Sequence, residues 1–404
     1  MKRNKTRTGM LLILALLLAA GCAPAQPASE QTPAPAQASG SSTQAAPPSG
    51  EPIAVGVVAP LSGTAAMLGD LTQKGIQLAA DQINAAGGIN GRPIKLIFED
   101  DEQVPAKAVS AVNKLIHNDK VAAVIGSVNT GCTLASMEVS QAAQVPQITL
   151  TSSGLAVTNS GNPWIIRMQA SDEYQAGAIA GYAVHELKLS KLAVMYGTDD
   201  YGTGGKDFIL AYLKEAGIDP VAIEGFDINS SDLSPQLLSI KQAGAEGILL
   251  WTSYKQGALV AKQAQQLGME GVYIMGGGGL NNKALFDLAG EAAAGLMNTH
   301  TFFADESGLN QTGLQFVQDY EAAYGATPTS DAATAYDSMI LLARAFEQCP
   351  DLDGQGLMDA LKATKDLEMA SGVISINEKG DSLRDHIYVV RFTQTGDFEL
   401  CGVY

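Results

Sequence analysis

The chain has 404 residues with 25 Lys or Arg against 42 Asp or Glu, a formal net charge of −17 at pH 7. So acidic a surface repels phosphate backbones and argues against nucleic-acid binding. Four histidines are widely scattered, and neither HExxH nor CxxC occurs, so no metal site and no cofactor are expected.

Residues 1–22 read as an export signal. Lys2, Arg3, Lys5 and Arg7 precede an apolar stretch over residues 10–20 that is short for a membrane span. It ends in "LAAGC" (residues 18–22), which resembles the lipobox of bacterial lipoproteins and implies lipidation at Cys22. Loss of the four positive charges on cleavage takes the net charge from −17 to about −21. Residues 23–50, almost wholly Ala, Pro, Ser, Gln, Thr and Gly, lack the large apolar side chains that offset ordering entropy. A solvated, extended tether is predicted.

The remaining residues, from 51 onward, exceed what one core usually supports, so two domains are expected. "IAVGVVAPL" (residues 53–61) predicts a buried strand and "LTQKGIQLAADQINAAGG" (71–88) a helix. "IKLIFED", "AKAVSAVNKLIHND", "VAAVIG", "CTLASMEVSQAAQ" and "VPQITL" continue strand, helix, strand, helix, strand. After a break near residues 163–173 the rhythm restarts with a helix at "YQAGAIAGYAVHEL". Three strand–helix pairs and a last strand, "GVYIMGG", follow. Such alternation implies parallel sheets covered on both faces. From residue 313 two helices, a shorter one near 357–364 and two hairpin-like segments close the chain. The cysteines beyond Cys22 are odd in number (Cys132, Cys349 and Cys401), so at least one free thiol is expected, buried rather than reactive.

Ligands of open parallel sheets lie beyond the carboxyl ends of the strands. The loops there carry "SVNTG" (127–131), "TLTSSG" (149–154), "TDDYG" (198–202), "WTSYKQG" (251–257) and "GGGGLNN" (276–282). The first two are rich in hydroxyls beside a helix start, where unpaired N–H groups suit a small carboxylate. Tyr201, Trp251 and Tyr254 offer an aromatic wall from the second series.

The stretches "VGVVAPLSGTAAMLGD", "GIQLAADQINAAGGINGRPIKLIFEDDE", "VIGSVNTGCTLA", "PQITLTSSG", "DDYGTG" and "NEKGD" resemble the type I extracytoplasmic solute-binding proteins of ABC importers, in the branched-chain amino-acid (leucine/isoleucine/valine) binding family. The resemblance runs from residue 52 to 404. It implies an α/β fold of two Rossmann-like lobes, parallel sheets flanked by helices, joined by a hinge of three crossings. The N-terminal lobe would hold residues 51–171 and 300–384, the C-terminal lobe 172–299 and 385–404. It implies no enzyme activity, capture of a small amino acid by hinge closure, and delivery to a membrane permease. The location would be extracytoplasmic, on a lipid anchor, and the chain a monomer. Thr130 would donate to the ligand carboxylate, with Thr151, Ser152 and Ser153 around it. Tyr201 would contact the ligand from the second lobe, and Trp251 or Tyr254 would line its side-chain pocket.

One position departs from that pattern. Relatives that bind amino acids carry an acid for the ligand ammonium where this chain has Gly278, and Leu68 stands where some carry a tyrosine. Asp199 or Asp200, or Asp100, Asp101 and Glu102, are the candidates to supply the missing charge, since a buried unpaired ammonium is costly. Otherwise the ligand is a small organic acid or amide without an ammonium. A sensor presenting its closed form to a membrane receptor would use the same binding physics. An enzyme is disfavoured by the absence of GxSxG, P-loop and GxGxxG signatures.

Overall fold

A computed structural model of the protein describes residues 48–305 and 308–404. The signal-like segment, Cys22 and residues 23–47 of the tether lie outside the described residues.

The first series comprises β1 (Ile53–Ala59), α1 (Ala66–Ala85), β2 (Ile94–Asp100), α2 (Pro105–His117), β3 (Ala123–Ile125), α3 (Thr130–Ala143), β4 (Gln147–Thr149), α4 (Ala156–Asn159) and β5 (Ile165–Arg167). Its strands form a parallel sheet in the order β2-β1-β3-β4-β5. Side chains alternate across a strand, and a sheet covered on both faces buries both sets. In β1, Val55, Val57 and Ala59 enter one core with Ile76 and Phe346, while Val58 enters another with Val112 and Leu115. That double burial is why β1 reads as an unbroken apolar run.

The second series runs α5 (Asp172–Gly181), β6 (Leu192–Gly197), α6 (Asp200–Glu215), β7 (Ala222–Phe226), α7 (Ser234–Gln242), β8 (Gly247–Trp251), α8 (Tyr254–Gln266), β9 (Tyr273–Gly276), α9 (Ala284–Ala289) and β10 (Met297–His300). The helix expected over 174–187 is α5 followed by a π-helical turn, Tyr182–Glu186. The same alternation sorts β8: Ile248 and Leu250 face one core, Leu249 and Trp251 the other.

The chain then forms α10 (Gln311–Tyr324), α11 (Ser330–Gln348), α12 (Gly354–Lys362), β11 (Leu367–Met369), β12 (Gly372–Ile376), β13 (Ser382–Arg384), β14 (Tyr388–Phe392) and β15 (Phe398–Val403). Met339, Leu342 and Phe346 of α11 return to the core of the first sheet. β14 and β15 join the second sheet antiparallel, in the order β15-β14-β10-β9-β8-β6-β7. The second sheet is therefore mixed rather than purely parallel. β11, β12 and β13 form a small antiparallel sheet, tied to the first by an Arg167–Asp381 bridge. The chain thus passes between the two large sheets three times, after β5, after β10 and after β13.

Among the described residues no helix is long and apolar enough to cross a membrane. Cys132, Cys349 and Cys401 are all free. Cys132 is buried, and burial pushes its thiol up to about 12, which keeps it unreactive.

Candidate functional site

The site begins where β3 ends. Asn129 caps α3 by accepting hydrogen bonds from the Gly131 and Cys132 N–H groups, so Thr130 is the first helical residue. The loop after β4 lies against it: a Cβ on Gly154 would stand 2.6 Å from Thr130 Cγ2. Only glycine permits that approach.

The hydroxyl run at the end of β4 mostly serves this packing. Thr149 Oγ1 donates to the Ser127 carbonyl at 2.8 Å, and Thr151 and Ser152 both donate to the Val128 carbonyl, at 3.0 and 3.2 Å. Ser152 Oγ also lies 2.6 Å from Thr133 Oγ1. These hydroxyls supply the Val128 carbonyl, and add to the Leu150 N–H at the Ser127 carbonyl, where the chain has left its sheet. The Ser153 carbonyl accepts from Arg167 Nη1 at 2.6 Å and from the Asp172 N–H at 2.9 Å.

The opposing wall comes from the second sheet. Asp199 caps α6 through the Gly202 N–H and so sets Tyr201 in its first turn. The Tyr201 hydroxyl accepts from the Gly279 N–H at 3.0 Å, which holds the glycine loop after β9. Trp251, fully buried, lies behind Tyr201 with ring centroids 5.9 Å apart. Tyr254 opens α8, and its hydroxyl donates to the Thr64 carbonyl of the opposite half at 2.9 Å.

Between these walls lies a cavity of about 100 Å³. Of the residues expected from sequence, Thr130, Thr151, Ser153, Tyr201, Tyr254 and Gly278 line it, and so does Leu68. Ser152, Trp251 and Asp200 do not. Ser152 points its hydroxyl into the loop, Trp251 is a floor beneath Tyr201, and Asp200 is exposed on the first turn of α6. The other acids weighed for a ligand ammonium are also engaged elsewhere. Asp100 accepts from Leu61 N, Ser62 Oγ and Glu102 N. Asp101 holds Ser127 and the Gln103 N–H, and Glu102 pairs with Lys107.

Sequence reasoning missed several wall residues. Gln103, Gln169, Gln175, Asn281 and Asn282 make the lining rich in amides, and Asp331 adds a carboxyl from the first turn of α11. Amides at loop ends have no periodic signature; Asn281 and Asn282 were at least visible next to the glycine run. Asp331 is 5 % exposed, and burial pushes its carboxyl up to about 7, opposed by a hydrogen bond with the Asn281 side chain. Behind the cavity Asp172 is raised to about 7 as well by burial, against the Ser153 hydroxyl and the Arg167 charge. Burial likewise raises the Tyr201 phenol. Nothing resembling a nucleophile–histidine pair lines the cavity, and among the described residues no cluster of His, Cys, Asp or Glu is placed to hold a metal.

A larger cavity, about 600 Å³, lies among the chain crossings and is lined by Arg167, Tyr174, Arg384 and Tyr404. Its guanidiniums are occupied: Arg167 pairs with Asp381 at 2.6 Å, and Arg384 donates to Ser371 Oγ and the Met168 carbonyl. The smaller cavity, at the strand ends, is the stronger candidate.

The family model "Periplasmic binding protein" matches residues 52–397. This chain belongs to the periplasmic binding protein family. It is 31% identical over 345 residues to an amino acid binding protein of Pseudomonas aeruginosa, covering 84% of this chain and 89% of that one. It is 29% identical over 330 residues to Leu/Ile/Val-binding protein homolog 3 of Brucella melitensis, covering 81% and 88%. Among solved structures it is similar to the branched-chain amino acid transporter substrate binding protein LivJ of Streptococcus pneumoniae in complex with isoleucine. That likeness has a TM-score of 0.81 and 28% identity, and it covers 88% of this chain and 99% of that one. As a periplasmic binding protein of type I, the chain has its strand-end cavity where the two sheets face each other.

Proposed function

We propose that this chain is the extracytoplasmic solute-binding subunit of an ABC importer, anchored by a lipid on Cys22, which captures a small amino acid by hinge closure and hands it to a membrane permease. The observation that carries the reading is the cavity itself. It lies between two sets of strand ends, with Thr130, Thr151 and Ser153 on one wall and Tyr201 and Tyr254 on the other. The Thr130 hydroxyl and main-chain donors beside the start of α3 suit a carboxylate, and two phenol rings suit the body of a small solute.

The relatives named for amino-acid binding support the ligand class. The three passages between sheets support a hinge of two lobes, residues 51–171 with 300–384 and residues 172–299 with 385–404. Contacts from both lobes would favour the closed state in proportion to ligand affinity. A cavity of about 100 Å³ is below the roughly 150 Å³ that holds benzene, which favours a solute of few heavy atoms. The test is a calorimetric and thermal-shift screen of the chain against amino acids, amides and small organic acids. A tight ligand that raises the melting point is expected, and silence across the whole panel would sink the reading. Radiolabelled palmitate should label the wild type in bacteria and fail to label Cys22→Ala.

A further inference from the structure

Within this cavity two groups lack a counterpart. Asp331 lines the wall, is almost wholly buried, and its Oδ2 has no hydrogen-bond partner. Lys255 is the one basic residue on the wall, and it is exposed. The loop after β9 cannot bring an acid of its own. A Cβ on Gly278 would stand 2.9 Å from Gln175 Oε1, which accepts from the Gly278 N–H at 2.6 Å and Thr299 Oγ1 at 2.9 Å. The same Cβ would lie 3.8 Å from Asn281 Nδ2, and the Asn281 side chain is hydrogen-bonded to Asp331. The Asp331 carboxyl is therefore one amide away from Gly278. Beside it Asn282 Nδ2 is also buried without an acceptor. One carboxyl oxygen and one amide donor without partners, on residues that line one cavity, ask for a ligand with a donor and an acceptor.

We propose that Asp331 is the counter-charge of this cavity and that the solute carries a protonated amine which pairs with it. The inference rests on the cavity being the solute site and narrows what that site takes. The carboxyl sits at the amide end of α11, where the helix dipole also favours its charged form. Burial holds the free carboxyl near 7, so a cationic partner would drive off its proton on binding. The other titratable groups on the wall are Tyr201 and Tyr254, whose phenols burial raises further, and the exposed Lys255.

The experiment is calorimetry on the full chain with three sets of probes. These are alanine, serine, leucine and isoleucine; then γ-aminobutyrate; then propionate, isocaproate and benzoate, which lack an amine. Wild type should prefer an amine-bearing probe, and whether an α-amino acid or γ-aminobutyrate wins tells where the amine stands relative to the carboxylate. Asp331→Asn should weaken that probe about a hundredfold, as loss of a buried charge partner does. It should leave the probes without an amine unchanged or tighter. As a readout independent of the variant's folding, titration near pH 6 in buffers of different ionisation enthalpy should show release of up to one proton, fading above about pH 8. Wild type that binds a probe without an amine as tightly as its amine-bearing analogue, or binds the amine with no proton release, overturns this inference while the solute-binding reading stands. Wild type that binds none of the probes overturns the inference too. Silence across the wider screen of amides and organic acids as well would remove the reading beneath it.

Discussion

Tyr254 and Thr64 lie 190 residues apart in sequence and on opposite halves of the fold, yet the Tyr254 hydroxyl donates to the Thr64 carbonyl at 2.9 Å. One phenol thus both lines the cavity and ties the two halves across it. Tyr254→Phe keeps the ring and removes the tie. A single hydrogen bond is worth about 0.5–1.5 kcal/mol net, so ligand affinity should fall about two- to tenfold, mainly through faster release. Stopped-flow dissociation rates would show it, and an unchanged rate would mean that the bond does not hold the closed form.

Ser152 and Thr130 should separate in their effects. Ser152 spends its hydroxyl on Val128 and Thr133 and is absent from the cavity wall, whereas Thr130 lines it. Ser152→Ala should cost about 1 kcal/mol of stability with little change in ligand affinity. Thr130→Val should do the reverse. Urea unfolding and calorimetry on both variants test the pair.

Gly205 lies against Trp251, where a Cβ would come within 2.1 Å of the indole Nε1. The chain has two tryptophans, and the other, Trp164, sits in the core of the first sheet. Gly205→Ala should therefore displace Trp251, shift the emission spectrum and cost about 1–3 kcal/mol through overpacking. Because Trp251 backs Tyr201, ligand affinity should drop with it. A native emission spectrum in this variant would contradict the packing described.

The ligand-free chain should lose stability as pH rises from about 5 to 8. Asp172 and Asp331 are held near 7 by burial, whereas unfolded aspartates release their protons near pH 4. Between those limits the folded chain binds more protons, so this contribution is fully present below the unfolded value and is lost through about 7. Asp101 and Asp337 are raised by burial as well and act in the same sense. His300, pushed down to about 3 by burial, acts oppositely below its unfolded value near 6.5, which flattens the acid side. Asp331→Asn should raise the urea midpoint near pH 8 and make its fall with pH shallower. Stability would thereby be gained at the expense of affinity, as is common in binding sites.

Strand–helix order was legible where a strand is buried on both faces, as β3 and β8 are, and where a helix buries one apolar stripe, as α2 and α12 do. "IKLIFED" coincides with β2 residue for residue, and the two helices expected from residue 313 are α10 and α11. The loops were legible only in kind. That hydroxyls and aromatic rings gather at strand ends follows from sequence. Which of them faces the cavity depends on backbone direction over two or three residues after a strand stops repeating. Ser152 and Ser153 are neighbours, and they take opposite roles for that reason.

The sequence by itself therefore determined the alternation of elements, the family to which they belong, and the loops that a ligand would meet. Tertiary structure alone decided that Asp331 reaches the cavity. It enters from α11, which follows the passage of the chain from the second sheet back to the first and has its N-terminal turn beside Asn281. Such a meeting depends on how two sheets face each other, a property of packed layers that no local pattern along the chain encodes.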